Sequence, residues 1–420
     1  MLLNNDKHNI HWLASLSLIG LVIAFFTNWP IYHHKFGGPE TTWYYVIAWI
    51  MAAAFVFLRP RALVLLLSEP MFYWFLVYAL SGLLWVAFVD AGYFSVDDRS
   101  WRSRFLMLLL FAACFVLTTG IDFRRLVAVW FGCVLFAVVC FWIDYLVPFT
   151  FIPADHSASN PGRAAGFFVN ANIAGGLLVI MCIAIMPFLA MRWRVLLILI
   201  MGMGVFPTFS RSATLLAILV SLVWILRGHL SKKTLLILLI AVPFASIIGT
   251  TLFSKGLSST EINHDNVAGR LQFFETMGKE TGDESAQERR YVAQLAWQKF
   301  TEKPLVGHGM GELDETSPAW GFPHPPHNMY LQMMFEQGIW GGILYVTFLG
   351  IIVFKGMRLY RRALSRQSSE LGVAFILIAV YFAFLGLFSN TLLIESIGII
   401  ILASLLVKER EFISSDPRYA

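Results

Sequence analysis

The sequence predicts an all-α membrane protein of about twelve transmembrane helices with one large, partly helical external loop. Three observations predict it. Apolar residues make up 58% of the 420 residues and charged residues only 14%, with a mean hydropathy of +0.69; a soluble domain is nearer half and a quarter. The apolar residues fall in runs of about twenty, the length a helix needs to cross a bilayer. The connections between runs are short, with a single long exception. The 37 Phe and 14 Trp supply the aromatic content expected at lipid-facing and interfacial positions.

Along the chain, spans are expected at about 11–28, 42–58, 70–89, 104–119, 126–148, 171–190, 195–208, 212–226, 234–253, 328–354, 371–389 and 391–407. The first is preceded by MLLNNDKHNIHW and followed by no small-residue cleavage site, so it reads as a span rather than a removed signal peptide. The stretch 62–69, before Glu69-Pro70, reads as an interfacial turn. Cys114, Cys133, Cys140 and Cys182 all fall inside apolar runs without metal-ligand spacing and read as packing residues. Residues 1–253 thus hold helices one to nine, 254–327 the external loop, and 328–420 helices ten to twelve with a cytoplasmic tail.

Orientation follows from the short loops. Arg59, Arg61, Arg124, Arg125, Arg192, Arg194, Arg227, Lys232 and Lys233 fall on one side, with Lys355, Arg358, Arg361, Arg362, Arg366, Lys408 and Arg410. Positive loops face the cytoplasm, which puts both termini there; Arg99, Arg102 and Arg104 are the exception, landing outside beside Asp97 and Asp98. The formal charge of +5 is accordingly read as membrane anchoring, with no nucleic-acid partner. The long loop is richer in carboxylates than in cations, and a loop of this length is uncommon unless it has a function or is disordered.

Chemistry-bearing residues gather on the external side. Ala293, Ala296, Trp297 and Phe300 recur at i, i+3, i+4 and i+7, one face of a helix. Arg289 projects onto that face and Arg290 about 100° away. A guanidinium aligned with a buried stripe needs an anion: either a loop carboxylate in an internal ion pair, or a phosphate or pyrophosphate clamped by its planar fork. Pro304 ends the helix, and Gly307, Gly309 and Gly311 follow in a turn lacking the strand and Lys-Ser/Thr of a nucleotide loop. In His324-Pro325-Pro326-His327-Asn328 the prolines hold the chain extended, and Asn328 is a candidate N-cap of the tenth span. His327 then stands at a positive helix end, where a neutral imidazole can take a proton from a hydroxyl. The two histidines lack a convincing third metal ligand. Asn328, Gln332 and Glu336 form a polar stripe at i, i+4, i+8. Arg211 lies at the external junction of spans seven and eight, and Asn170 and Asn172 open span six. Arg163 lies in the short loop before them.

These elements together resemble the O-antigen ligase and polymerase superfamily of bacterial envelope glycosyltransferases. The resemblance rests on the loop helix with Arg289 (or Arg290), Pro304 with Gly307, His327-Asn328, and Glu336 with Gly338. Ser210-Arg211 and Asn170 to Asn172 also match, so the motifs cover about residues 165–350. It implies a periplasmic active site in an inner-membrane enzyme. There a glycan would move from an undecaprenyl-diphosphate-linked O-antigen donor to a lipid A–core acceptor among membrane lipids. It further implies inversion at the anomeric carbon, with no cofactor and no metal. In this scheme His327, Arg289 and Arg211 are catalytic, and Arg290, Arg163, Asn172, His324 and Asn328 bind substrate. The length and single large loop favour a ligase over the related polymerases, whose acceptor is another lipid-linked repeat. A transporter of lipid-linked glycan is the rival of a different class.

Overall fold

A computed structural model describes residues 2–88, 99–153, 163–229, 284–310, 320–322, 325–363 and 365–414. These residues form α-helices joined by turns and short 3-10 or π segments, and no strand occurs among them. In order the helices are α1 (Leu2–Phe26), α2 (Trp29–Lys35), α3 (Thr42–Leu58), α4 (Pro60–Leu67) and α5 (Pro70–Phe88). Next come α6 (Arg99–Thr118), α7 (Phe123–Leu146), α8 (Ala171–Ile185), α9 (Met191–Val205) and α10 (Arg211–Trp224). The last are α11 (Glu284–Glu302), α12 (Met329–Gln337), α13 (Ile339–Arg361), α14 (Arg366–Leu385) and α15 (Ser396–Ser414).

Six of the described helices are long and apolar enough to cross a membrane, or up to eight if each of two bent pairs is one span. The expected twelve included the run 234–253, which lies outside the described residues. It also included α10, whose fourteen residues rise only about 21 Å at 1.5 Å per residue. The stretch read as an interfacial turn is helix α4, bent by 112° from α3. The bend follows from Pro60: the residue before a proline is pushed out of the helical region, and Arg59 sits at φ −140°, ψ 74°. Proline then opens the next helix, where its missing N–H costs nothing.

One expectation is corrected. The apolar run 328–354 is not one span but two helices broken at Gly338, whose φ of 64° is left-handed and favours glycine. Residues eight apart on a continuous helix are separated by about 12 Å along its axis. Here a Cβ built on Gly341 would lie 2.0 Å from the Met333 carbonyl oxygen, so the chain folds back on itself. The long apolar helix is α13, and α12 with its polar stripe packs beside its beginning.

The chain divides into two compact units. One comprises Met1–Phe25, Pro39–Leu126 and Ser285–Ala420; the other comprises Phe26–Gly38 and Val127–Glu284. In the first, α13 and α14 run antiparallel with their backbones touching: a Cβ at Gly356 would stand 2.8 Å from the Gly372 carbonyl oxygen, and one at Gly372 2.7 Å from the Tyr360 nitrogen. Small residues permit this approach in lipid, where packing rather than hydrophobic exclusion joins helices. In the second unit α8, α9 and α10 form an up-down-up group around α8, of which thirteen residues are buried. The four cysteines are free and buried, as packing residues would be.

Candidate active site

In the second unit two helices begin side by side. Asn170 caps α8, its side chain accepting from the Asn172 and Ile173 nitrogens at 2.9 and 3.4 Å. Ser210 caps α10 by accepting from the Ala213 nitrogen at 3.4 Å. Gly175, in the second turn of α8, has no room for a side chain: a Cβ would lie 2.8 Å from Ala213 Cβ and 2.9 Å from Thr208 Oγ1. Both N-termini therefore open at one place, adding their partial positive charges. The segment leading into α8 folds over the turn leading into α10, with the Ala164 nitrogen donating to the Pro207 oxygen at 2.8 Å. Arg163 donates from Nε to the Thr208 oxygen at 3.0 Å and from its guanidinium to Asn172 Oδ1 at 2.6 Å. Arg211 is the first residue of α10 and half-buried. A guanidinium at a helix N-terminus works against the dipole by about 0.3–1 kcal/mol, an arrangement that suits an anion. Arg163, Asn172 and Arg211 thus meet in one unit. Of the two asparagines, Asn170 is the cap and Asn172 orients Arg163.

The first unit holds the other residues. Helix α11 buries Val292, Ala296 and Phe300, whereas Trp297 is 53% exposed. The buried stripe therefore runs through Val292 rather than through Ala293 and Trp297. Arg289 lies three residues before Val292 on that side and is half-buried, while Arg290 is exposed. The stripe packs against Phe335 of α12 and Trp320, with Leu295, Phe322 and Leu331 at the margin.

The Pro304–Gly309 turn ties the C-terminal ends of α11 and α12 together. The His308 nitrogen donates to the Phe335 oxygen at 2.8 Å, the Gly309 nitrogen to the Glu336 oxygen at 3.1 Å, and the Ile339 nitrogen to the Pro304 oxygen at 2.8 Å. Carbonyls left open at a helix end are thereby satisfied. His308 also stacks on Phe335 with ring centroids 4.9 Å apart, and its Nε2 lies 2.7 Å from the Lys299 oxygen. Burial pushes the His308 imidazole below its ordinary pKa. Gly307, at φ 71°, leaves no space for a Cβ, which would lie 2.6 Å from the Glu336 carbonyl. The proline-glycine turn and the Glu-x-Gly are thus two halves of one joint.

At the other end of α12, Asn328 is the N-cap, accepting from the Leu331 nitrogen at 3.0 Å. The Met329 nitrogen donates to the Gly386 oxygen at 2.7 Å, docking this end on the C-terminus of α14. His327, immediately before the cap, is exposed. Arg289 and His327 each stand at the N-terminal end of helices whose C-terminal ends are joined through His308. His324 lies outside the described residues.

Sequence reasoning missed Arg104, grouped with external arginines before a span. It sits instead within Trp101–Thr118 of α6, a stretch long and apolar enough to cross a membrane, where it is 3% exposed and in an ion pair with Glu336. Gln332 Nε2 donates to Glu336 Oε1 at 2.8 Å, and the Arg104 guanidinium lies 4.4 Å from the centre of the Tyr78 ring. The polar stripe of α12 is therefore spent largely on Arg104. An ionisable residue inside a span is by itself a functional signal; beginning the helix five residues before the apolar run would have exposed it. His308 gave no such signal, because its partners are backbone carbonyls.

No curated protein matches this sequence. A family model described as O-antigen ligase matches residues 196–346, a stretch containing Arg211, Arg289, Arg290, the Pro304–Gly309 turn, His327-Asn328 and Glu336 but neither Arg163 nor Asn172. Residues 196–346 are thus similar to the O-antigen ligase family.

Proposed function

We propose that this protein is an O-antigen ligase of the bacterial inner membrane. It would move a glycan from undecaprenyl diphosphate to lipid A–core at the periplasmic face, from a chain of twelve spans with both termini cytoplasmic. The observation that carries the reading is the joint between α11 and α12. It ties together the two helices that bear the motif's arginine and its His327-Asn328 pair, inside the stretch that matches the family.

The donor is already activated, since its sugar is attached through a diphosphate leaving group, and no nucleotide is required. His327 takes the proton of the acceptor hydroxyl as that oxygen forms its bond to the anomeric carbon. The bond from that carbon to the diphosphate oxygen breaks on the opposite face, and its electron pair leaves with undecaprenyl diphosphate. The anomeric configuration inverts. Negative charge grows on the departing diphosphate, and fixed guanidinium groups stabilise it without reorganising. Arg289 and Arg211 take that role, with Arg290, Arg163, Asn172, Asn328 and His324 as binding residues. No step calls for a metal or cofactor.

Purified His327→Ala and Arg289→Ala, assayed with lipid-linked donor and core acceptor, should each lose about 100-fold or more in rate, the scale of a general base or charge stabiliser. Full activity in either variant removes that residue from the mechanism. Product formed in detergent, with no second compartment, separates an enzyme from a transporter. Deletion in the native host should abolish long-chain lipopolysaccharide and accumulate lipid-linked polymer; single-repeat lipopolysaccharide would identify a polymerase instead.

A further inference from the structure

Where α11 ends, two apolar side chains stand in the open. Leu305 and Val306, in the turn that follows it, are 66% and 50% exposed. The main chain beneath them is fixed to two apolar helices. The Trp85 indole, near the end of α5, donates to the Val306 oxygen at 2.6 Å. The Ile339 nitrogen, at the start of α13, donates to the Pro304 oxygen at 2.8 Å. These two helices run antiparallel with their ends level. Lys355 of α13 pairs with Glu69, directly before α5, at 3.0 Å, and the Trp74 indole of α5 donates to the Leu344 oxygen at 2.9 Å. Trp85 lies sixteen residues after Glu69, and Ile339 sixteen before Lys355, so each stands about 24 Å from that ion pair. The twenty-three residues of α13 rise about 34 Å, against a hydrocarbon core of about 30 Å. Ile339 and Trp340 therefore fall at the edge of the hydrocarbon, and Leu305 and Val306 fall with them.

We propose that Leu305 and Val306 form a wedge seated in the bilayer, at the boundary of headgroups and acyl chains, and that it moors α11 to the lipid surface. At this level an open apolar side chain faces lipid rather than water, so what is exposure in the bare chain becomes burial in the membrane. The neighbours belong to the same belt. Ile339, Trp340 and Ile343 on α13 are exposed, and Trp85 and Trp340 are of the type that gathers at membrane interfaces. Lys303, exposed and two residues before Leu305, suits the phosphates of the headgroup layer. The same turn holds the ends of α11 and α12 together, so the wedge sets the depth of both helices in the leaflet.

The test places the full chain in nanodiscs of phosphatidylethanolamine and phosphatidylglycerol, with an environment-sensitive nitrobenzoxadiazole dye on Leu305→Cys or, separately, on Val306→Cys. Both side chains are exposed, so neither variant empties the core, and the four native cysteines are buried. Gln294→Cys, exposed on α11, is the reference. Phospholipid carrying a nitroxide high on its acyl chain should quench the dye at positions 305 and 306, and iodide should quench it about fivefold less than at 294. Iodide quenching equal to that at 294 overturns the proposal. So does a dye reached by neither quencher, which would mean that protein covers the turn. The readout is depth rather than catalysis, so its outcome is separate from whether the chain transfers a glycan.

Discussion

Arg104 carries a charge where solvent does not reach, so its worth depends on Glu336 opposite. Removing one member of a buried pair leaves the other uncompensated, at a cost of about 3–5 kcal/mol, whereas replacing both with groups of similar size is often neutral. Arg104→Ala should therefore lower thermal stability sharply, and Arg104→Met with Glu336→Gln should recover most of the loss; melting temperatures of the wild type and these two variants decide it. If the pair positions α12, the double variant will remain folded yet turn over donor more slowly. His308 gives a second prediction. Its imidazole is buried and its pKa lies below the ordinary 6.5, so the unfolded chain takes up the proton first as pH falls. Stability is then full above about pH 6.5 and declines below it, by linkage. Melting temperature should drop between pH 7 and 5, and His308→Gln should flatten that drop. Neither residue could be paired from sequence: Arg104 and Glu336 are 232 positions apart, and His308 binds main chain.

At the scale of elements, what could be read was local. The Asn328 cap follows from a side chain that reaches three residues ahead, and the spacing alone places Arg289 on the buried side of α11. The break at Gly338 was hidden because hydropathy has no sense of direction: Met333, Met334 and Phe335 before it and Ile339 and Trp340 after it keep the run apolar. The stripe on α11 was misassigned by one position for a related reason, since Trp297 is apolar yet exposed. The hairpin makes a direct prediction. In Gly338→Ala the new Cβ meets the Leu305 carbonyl oxygen at 2.5 Å on a left-handed backbone, so the joint must open. Stability should fall by more than the ~1 kcal/mol expected for a strained turn alone, and transfer activity with it. Asn328→Ala, by contrast, should cost about 1 kcal/mol, the usual value of an N-cap, as read by denaturation.

For the whole molecule, the sequence conveyed composition, helicity and a family likeness that a family model repeats over residues 196–346, while pairings between distant helices had to come from the structure. The proposed orientation is open to a labelling test, because the four native cysteines are buried and give little background. Trp297→Cys, on the exposed side of α11, should react with a membrane-impermeant maleimide from the periplasm. Met357→Cys, near the far end of α13 and 37% exposed, should react only after the inner membrane is permeabilised; the reverse pattern would invert the topology. The joint between α11 and α12 has a bearing on how such chains vary in length. Between Lys303 and Gly309 the main-chain hydrogen bonds are each matched to a particular carbonyl, so a single inserted codon there shifts His308 off Lys299 and Gly307 off Glu336 together. Natural gains and losses of residues should therefore avoid this short stretch, and an insertion scan of the gene should show a gap in tolerated positions across it.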